Sequence, residues 1–498
     1  MESTVVRKEP SEKSHPQRDP LLLDRAFKAR RMVIAGVSSD RRKWSNIMFR
    51  RLLDSPYDGE LVAVNPARSS IEGQPCYPSL LDVPGEIDYA QLLVAREHTV
   101  DAVRACVARR VPVIHVLSSG FGEVSGKGPG LQSALIKALD GGTSALIGPN
   151  SLGLYSASHG LCFSDGCHFE PGPVTFISQS GALCTDVLAQ GQMRGIRFSK
   201  VLSIGNCADL DWPDYVRYCR HDPETGLAVF YIESVSDGRA LYRELKRLAR
   251  NKPVLVLKGG RTPVGAQAVV SHTGRMTGEH DVWQAMMHQA GVIELRGLND
   301  LLVTVQAWCS AERQPSGRSG DGVMVIGCGG GISVLISDAL DSAGLSMARL
   351  ESGTLSALEQ LEPAARVLGG IDNPIEMPVD RLFTDPDKLM ELIETSAADP
   401  KVGVVLLHLN LIAFSDLFGD DNLAHLDAIC TAIRDVAGRI DKPLTTVLRN
   451  GDCGETTATL YRLAFKSLGS QGALDVFSEL EPAVAWLVRV KTFTGCRS

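Results

Sequence analysis

Met32-Val33-Ile34-Ala35-Gly36-Val37-Ser38-Ser39 decides the fold class. Four apolar residues run without a polar break, then the chain turns through glycine and serine into a helix-like stretch. A continuous apolar run of this length is the pattern of a strand buried on both faces, as in a parallel sheet. The event recurs at Val174-Thr175-Phe176-Ile177-Ser178-Gln179-Ser180-Gly181 and at Val323-Met324-Val325-Ile326-Gly327-Cys328-Gly329-Gly330-Gly331. Further runs follow each opening: 61–64, 91–95, 111–117 and 144–147 in the first unit, 227–232 and 253–257 in the second, 402–409 and 443–448 in the third. Helical patterns lie between them, with Leu241, Leu245 and Leu248 on one face. Strands alternating with helices predict right-handed crossovers and an α/β fold of doubly wound parallel sheets.

Pro171-Gly172-Pro173 breaks the chain before the second unit, and the polar stretch 311–320 separates the second from the third. These breaks predict domains at about 21–155, 172–310 and 320–498. The polar, charged N-terminus reads as a disordered arm over 1–20.

Hydrophobic residues make up 44% of the 498, charged residues 22%, and the formal net charge is −7. This is globular composition without the basic excess of a nucleic-acid binder. No apolar run is long enough for a membrane span and no secretory core opens the chain, so a cytoplasmic protein is expected. The twelve cysteines are scattered without a CxxC pair, which suits reduced thiols. His159, Cys162, Cys167 and His168 are the types that hold zinc, but at irregular spacing; an ordinary loop is the stronger reading and no metal is assigned.

The turn at Gly36 follows a strand and opens a helix, as a phosphate or dinucleotide site requires, and Arg41-Arg42-Lys43 lies just beyond. An anion site and a solvated basic face both explain that run. Asn65 ends the second strand on the ligand-bearing edge of an open sheet. Ser178 and Ser180 stand where they cap a helix or line an anion site. His272, with Gly260, Gly265, Gly274 and Gly278 around it, reads as a residue of a flexible loop; imidazole is a competent nucleophile toward phosphorus, although most histidines are structural or merely exposed. Glu233 closes the run 227–232, either orienting an imidazole or facing water.

In combination these motifs resemble the NDP-forming acyl-CoA synthetases. The family includes ADP-forming acetyl-CoA synthetase α-type subunits and, more distantly, the succinyl-CoA synthetase α subunit. The resemblance rests on Val64-Asn65-Pro66, Ser119-Gly120-Phe121, Gly148-Pro149-Asn150-Ser151-Leu152-Gly153, Ser178-Gln179-Ser180-Gly181, Ser203-Ile204-Gly205-Asn206, Tyr231-Ile232-Glu233, and Lys258-Gly259-Gly260-Arg261 leading to Ser271-His272-Thr273-Gly274. It also covers Gly329-Gly330-Gly331 and Asn373-Pro374-Ile375-Glu376. It implies a Rossmann-like CoA-binding domain followed by two flavodoxin-like domains. It implies His272 as phosphate carrier, Glu233 as its orienting carboxylate, Asn150 lining the active site, and Ser178, Ser180 and Gly181 holding the phosphate. Gly36, Ser38, Lys43 and Asn65 would contact CoA. Trp44 stands where the family usually has a glycine, and Ala95 where a proline commonly ends a strand.

The implied reaction is reversible: acid, CoA and ATP give acyl-CoA, ADP and phosphate through acyl phosphate and phosphohistidine. No stretch reads as an ATP-grasp module. The resemblance therefore implies a separate β-type ATP-grasp subunit carrying ATP/ADP with Mg2+, with a small carboxylic acid as substrate. Two other readings stand beside it: a non-catalytic CoA-binding regulatory protein, and an FdrA-like acyl or carbamoyl transferase.

Overall fold

A computed structural model describes residues 18–273, 278–313, 320–327, 329–361, 363, 372–377, 383–418, 421–449, 454–469 and 474–495. Three sheets follow one another along the chain, and all three are mostly parallel.

The first sheet contains β1 (Arg31–Ala35), β2 (Glu60–Val64), β3 (Ser70–Ile71), β4 (Gln74–Tyr77), β5 (Tyr89–Leu92), β6 (Val113–Val116) and β7 (Ala145–Ile147), in the order β3-β4-β2-β1-β5-β6-β7. The second is built from β8 (Leu154–Ser156), β9 (Val174–Ser178), β10 (Phe198–Ser203), β11 (Leu227–Ile232), β12 (Val254–Lys258) and β13 (Ile293–Leu295), in the order β13-β12-β11-β9-β10-β8. Its strand β8 runs antiparallel to β10 and the rest are parallel. The third has β14 (Gly322–Gly327), β15 (Ile375–Glu376), β16 (Val402–Asn410), β17 (Leu444–Arg449) and β18 (Asp475–Phe477), in the order β15-β14-β16-β17-β18.

In each sheet the strand quoted at the outset (β1, β9, β14) lies between two neighbours approached from opposite directions along the chain. That is the topological switch point, where a crevice opens beyond the carboxyl ends of the strands. The side chains of β9 and β12 are buried throughout, which is why both read as unbroken apolar runs.

The helix Leu298–Arg313 is apolar on nearly all sides because both of its faces are covered. Leu301, Leu302 and Val305 pack into the second unit, while Val303 and Ala307 pack against Trp486 and Leu487 of the third. The first and second units meet where Phe27 stacks on Tyr218 at 5.6 Å and Tyr218 donates to Asp24 at 2.8 Å. Of the arm expected over 1–20, residues 1–17 lie outside the described residues; Arg18 is held by Asp209 at 2.9 Å.

The loop expected around His272 is corrected by the structure. Pro263–Thr273 is a helix, and His272 is its penultimate residue. Thr262 caps it, accepting from the Gly265 amide at 3.1 Å, and Pro263 supplies a preset φ in the first turn. Gly265 is carried inside the helix, and the glycine count misread it as a loop signal. The side chain of His272 lies outside the described residues.

Candidate active site

Asn150 follows β7, Ser178 ends β9 with Ser180 and Gly181 just beyond it, and Glu233 follows β11, so all five stand at the carboxyl ends of strands. Gln179 is the stitch. Its Oε1 accepts from the Glu233 amide at 2.6 Å and the Ser234 amide at 3.0 Å, which ties the serine turn to the end of β11. Ser180 caps the helix Gly181–Met193, accepting from Leu183 N at 3.3 Å, and its own amide donates to Ser178 Oγ at 3.0 Å. The first-turn amides of that helix point out of its N-terminus, and the helix dipole adds partial positive charge there. The capping and anion-site readings of the serines are therefore compatible.

Glu233 is only 5% exposed, so the water-facing reading of this carboxylate does not hold. Tyr231 donates to its Oε1 at 3.1 Å. Gly259 packs against it: a Cβ there would come within 2.7 Å of Tyr231 Oη and 3.2 Å of Glu233 Cγ. Lys258, at the end of β12, is buried beside them and donates to the Glu233 carbonyl at 2.7 Å. Burial pushes Lys258 down to about 8, against the opposing pull of Glu233 and Glu294.

A lysine lowered in this way binds fewer protons in the folded than in the unfolded chain between pH 8 and its ordinary value near 10.4. Stability should therefore rise with pH across that window. Lys258→Met is expected to flatten the rise, read as the urea midpoint between pH 8 and 10.5. An unchanged slope would mean that Lys258 titrates normally.

The Asn150 turn belongs to the end of the first sheet but is sewn to the second. Ser151 Oγ donates to the Ser203 carbonyl at 2.7 Å, and the Leu152 amide donates to Ser203 Oγ at 3.1 Å. Asn150 itself has φ +61°, a left-handed conformation that asparagine tolerates. Gly205, φ +54°, approaches so closely that a Cβ would lie 2.2 Å from the Pro149 carbonyl oxygen.

Below the turn, burial pushes His115 down to about 3, so its ring is neutral. Gln91 donates to Tyr89 Oη at 3.0 Å; Tyr89 and Ser151 lie 2.5 Å from the two ring nitrogens of His115. Because Ser151 spends its proton on Ser203, His115 Nε2 must be the donor to Ser151 and Nδ1 the acceptor from Tyr89. Every bond in this chain then has one donor and one acceptor, and the turn is fixed.

Glu123 is a site residue that sequence reasoning missed. It accepts from Asn206 Nδ2 at 2.5 Å and from the amides of Gly120 and Phe121, and Asn150 Nδ2 lies 3.4 Å from Asn206 Oδ1. Burial alone would raise its carboxyl, but these bonds hold it below the ordinary range. The available signal was its place three residues after Gly120, where a carboxylate reaches back to the turn's amides.

The residues assigned to CoA sit at the next switch point. Gly36 has φ +91°, and a Cβ there would lie 2.7 Å from the Leu93 carbonyl oxygen. Ser38 Oγ accepts from Asp40 N at 3.1 Å, and Asn65 Nδ2 donates to the Val37 carbonyl at 2.7 Å. Of the basic run, Arg41 pairs with Glu72 at 3.4 Å and Arg42 with Asp40 at 3.2 Å. Lys43 is exposed at the start of the helix Trp44–Asp54. Trp44 is 47% exposed under the Arg51 guanidinium, outside the turn. Ala95 takes the N-cap position of the helix Arg96–Ala108. The two turns communicate: Ser118 Oγ donates to the Val94 carbonyl beside Gly36, and the Asn150 amide donates to the Ser118 carbonyl at 2.9 Å.

The sulfurs of Cys162 and Cys167 are 2.6 Å apart, while His159 bonds Ser158. Among the described residues no group of three or more His, Cys, Asp or Glu side chains is placed to hold a metal, and no helix is long and apolar enough to cross a membrane.

A Rossmann-like turn bonded to a flavodoxin-like sheet is the frame on which the comparisons with known proteins bear. A CoA binding domain matches residues 30–157, and a succinyl-CoA ligase like flavodoxin domain matches residues 171–308. The chain is 30% identical over 363 residues to the acetate–CoA ligase (ADP-forming) I subunit alpha of Pyrococcus furiosus, covering 71% of this chain and 76% of that one. It is 31% identical over 411 residues to acetate–CoA ligase (ADP-forming) I of Archaeoglobus fulgidus; that match takes in 82% of this chain but spans only 58% of the relative's length. In fold it is similar to the dinucleotide forming acetyl-coenzyme A synthetase 1 of Ca. Korarchaeum cryptofilum, with a TM-score of 0.75 at 24% identity, covering 95% of this chain and 97% of that one. The chain belongs to the family of ADP-forming acyl-CoA ligases, the NDP-forming acyl-CoA synthetases.

Proposed function

We propose that this chain is the α-type subunit of an ADP-forming acyl-CoA synthetase, working in the cytoplasm with a separate β-type ATP-grasp subunit that carries ATP/ADP and Mg2+. The observation that carries the reading is the buried Glu233 tied through Gln179 to a capped helix N-terminus at the switch point. The relatives named as alpha subunits support the partner.

In the direction of ATP formation, phosphate attacks the thioester carbonyl of acyl-CoA, the C–S bond breaks, and CoA leaves as thiolate. The imidazole of His272 then attacks phosphorus, and the acid leaves as carboxylate. ADP finally takes the phosphoryl group. Glu233 orients the ring through one nitrogen; Ser178, Ser180 and the amide of Gly181 hold the phosphate; Asn150 lines the reacting space. CoA lies on Gly36, Ser38, Lys43 and Asn65. The functional units are 21–155 for CoA, 172–310 for the ligase step and 320–498 for assembly.

The test is turnover with and without the partner. The chain alone should make no ATP from acyl-CoA, ADP and phosphate, and should do so once the ATP-grasp subunit is added. Carbamoyl transfer without nucleotide would favour the transferase reading; CoA binding with no turnover beside an active partner would favour a regulatory protein. Gly36→Val should weaken CoA at least tenfold by calorimetry, because its Cβ meets backbone that has no freedom to move aside. Unchanged affinity would separate this turn from CoA.

A further inference from the structure

A cavity of about 570 Å³ opens between the second and third units. One wall is the C-terminal end of the helix Gly181–Met193 with the turn after it; the other is the helix Glu455–Gly469. Ser180 and the crevice lie at the opposite end of the former helix, about 20 Å away at 1.5 Å per residue. None of the groups assigned to the ligase reaction lines the cavity.

We propose that this cavity binds a small amphipathic anion: a carboxylate or phosphate group carried on an aromatic or aliphatic body. Charge is the first reason. Arg194, Arg197, Arg462 and Lys466 line it against a single carboxylate, Glu170, on a chain whose net charge is −7. Glu170 is already paired with Arg197 at 2.8 Å. The half-buried Arg194 guanidinium meets the neutral Asn299 Oδ1 at 3.3 and 3.4 Å, and Arg462 Nε meets the Ala458 carbonyl at 3.2 Å. Beside the Arg197–Glu170 pair, Arg194, Arg462 and Lys466 bring further positive charge to the same cavity, which an anion would offset.

The apolar lining is the second reason. Ile196 is buried, Met193 is 65% exposed, and the rings of Tyr461 and Phe465 lie 5.8 Å apart on the facing helix. A bare inorganic anion would leave this surface wet, whereas an apolar body would cover it. The volume is that of a site for a drug-sized molecule.

Rigidity is the third. Gln306 Nε2 reaches the Arg194 carbonyl at 3.5 Å and Asp475 Oδ1 at 3.3 Å, and Arg313 holds Asp475 Oδ2 at 3.3 Å. The Arg194 wall is thus tied to the buried seam between the units, which lowers the ordering cost of binding there.

The test does not depend on the phosphohistidine reading. The full chain, alone and with its ATP-grasp partner, is titrated with 8-anilinonaphthalene-1-sulfonate and with N-phenyl-1-naphthylamine, the same aromatic body without the anion. Saturable binding of the sulfonate is expected, at least tenfold weaker for the neutral amine and at least tenfold weaker in R462E/K466E, with an unchanged melting midpoint. Equal affinity for the two probes, or undiminished binding by the charge-reversed chain, overturns the proposal. So does loss of sulfonate binding on adding the partner, which would mark the cavity as a subunit interface. If the double variant fails to fold, R194Q is put through the same comparison and read the same way.

Discussion

His272→Ala is expected to lower acyl-CoA-dependent ATP formation at least roughly a thousandfold, with CoA affinity and melting midpoint unchanged. The size follows from removing a nucleophile rather than a binding contact: without a phosphorus-attacking group, the phosphoryl group has no route from acyl phosphate to ADP on this chain. The selectivity follows from position. His272 stands in the last turn of a helix whose neighbouring Val270 is 46% exposed, far in sequence from the Gly36 turn. Steady-state kinetics beside calorimetry with CoA separates the two quantities. A loss confined to KM, or residual turnover within tenfold of the parent, would remove His272 from the chemistry. Glu233→Gln keeps the shape of the site and removes its charge, and it should give a smaller loss in kcat.

The largest effect on stability is expected at Lys200. This lysine is fully buried in β10, with Asp222 at 2.9 Å, itself 0% exposed, and Glu224 at 2.5 Å. Thr225 Oγ1 adds a bond to Asp222 Oδ2 at 2.6 Å. Burial would raise Asp222, but Thr225 and Lys200 hold it below the ordinary carboxylate range. Lys200→Met leaves that carboxylate buried without its cation, at a cost of about 3–5 kcal/mol. Denaturant unfolding measures it, and a loss below about 1 kcal/mol would show that water or a neighbour replaces the lysine. Adding Asp222→Asn should recover part of the loss, since the orphaned charge disappears. The sign with pH also follows. A depressed carboxylate stabilises the fold above its unfolded value near 3.9, and that contribution is lost as pH falls through the folded value.

The same lysine explains why β10 was not legible in the sequence. Phe198-Ser-Lys-Val-Leu-Ser203 carries a charge in the middle of a strand buried along its whole length, and only tertiary pairing makes that tolerable. The strands β1, β9, β11 and β14 were legible because their buried runs are mostly apolar and carry no charge in the middle. The short edge strands β8, β13 and β18 offer three residues each, too few for a periodic signal.

At the candidate site the turns were readable from glycine and serine placement. Gly36 shows why: its φ and its contact with the Leu93 carbonyl exclude other residues. The bonds between turns were not readable. Gln179, Glu123 and His115 act across 54, 83 and 36 residues of sequence respectively, on Glu233, Asn206 and Ser151, and no local pattern reports such a partner. The helix at His272 was misread for a different reason. Glycine frequency outweighed the Thr262-Pro263 start signal, although one interior glycine costs a helix only about 1 kcal/mol.

The most direct measurement is to locate the phosphate. The full chain is incubated with the ATP-grasp subunit, Mg2+ and γ-labelled ATP, quenched in base and digested. The label should sit on the peptide containing His272, survive base, fall off in acid, and disappear when acid and CoA are added together as acyl-CoA forms. A label on any other residue of this chain, or one retained in His272→Ala, would contradict a phosphohistidine at this position.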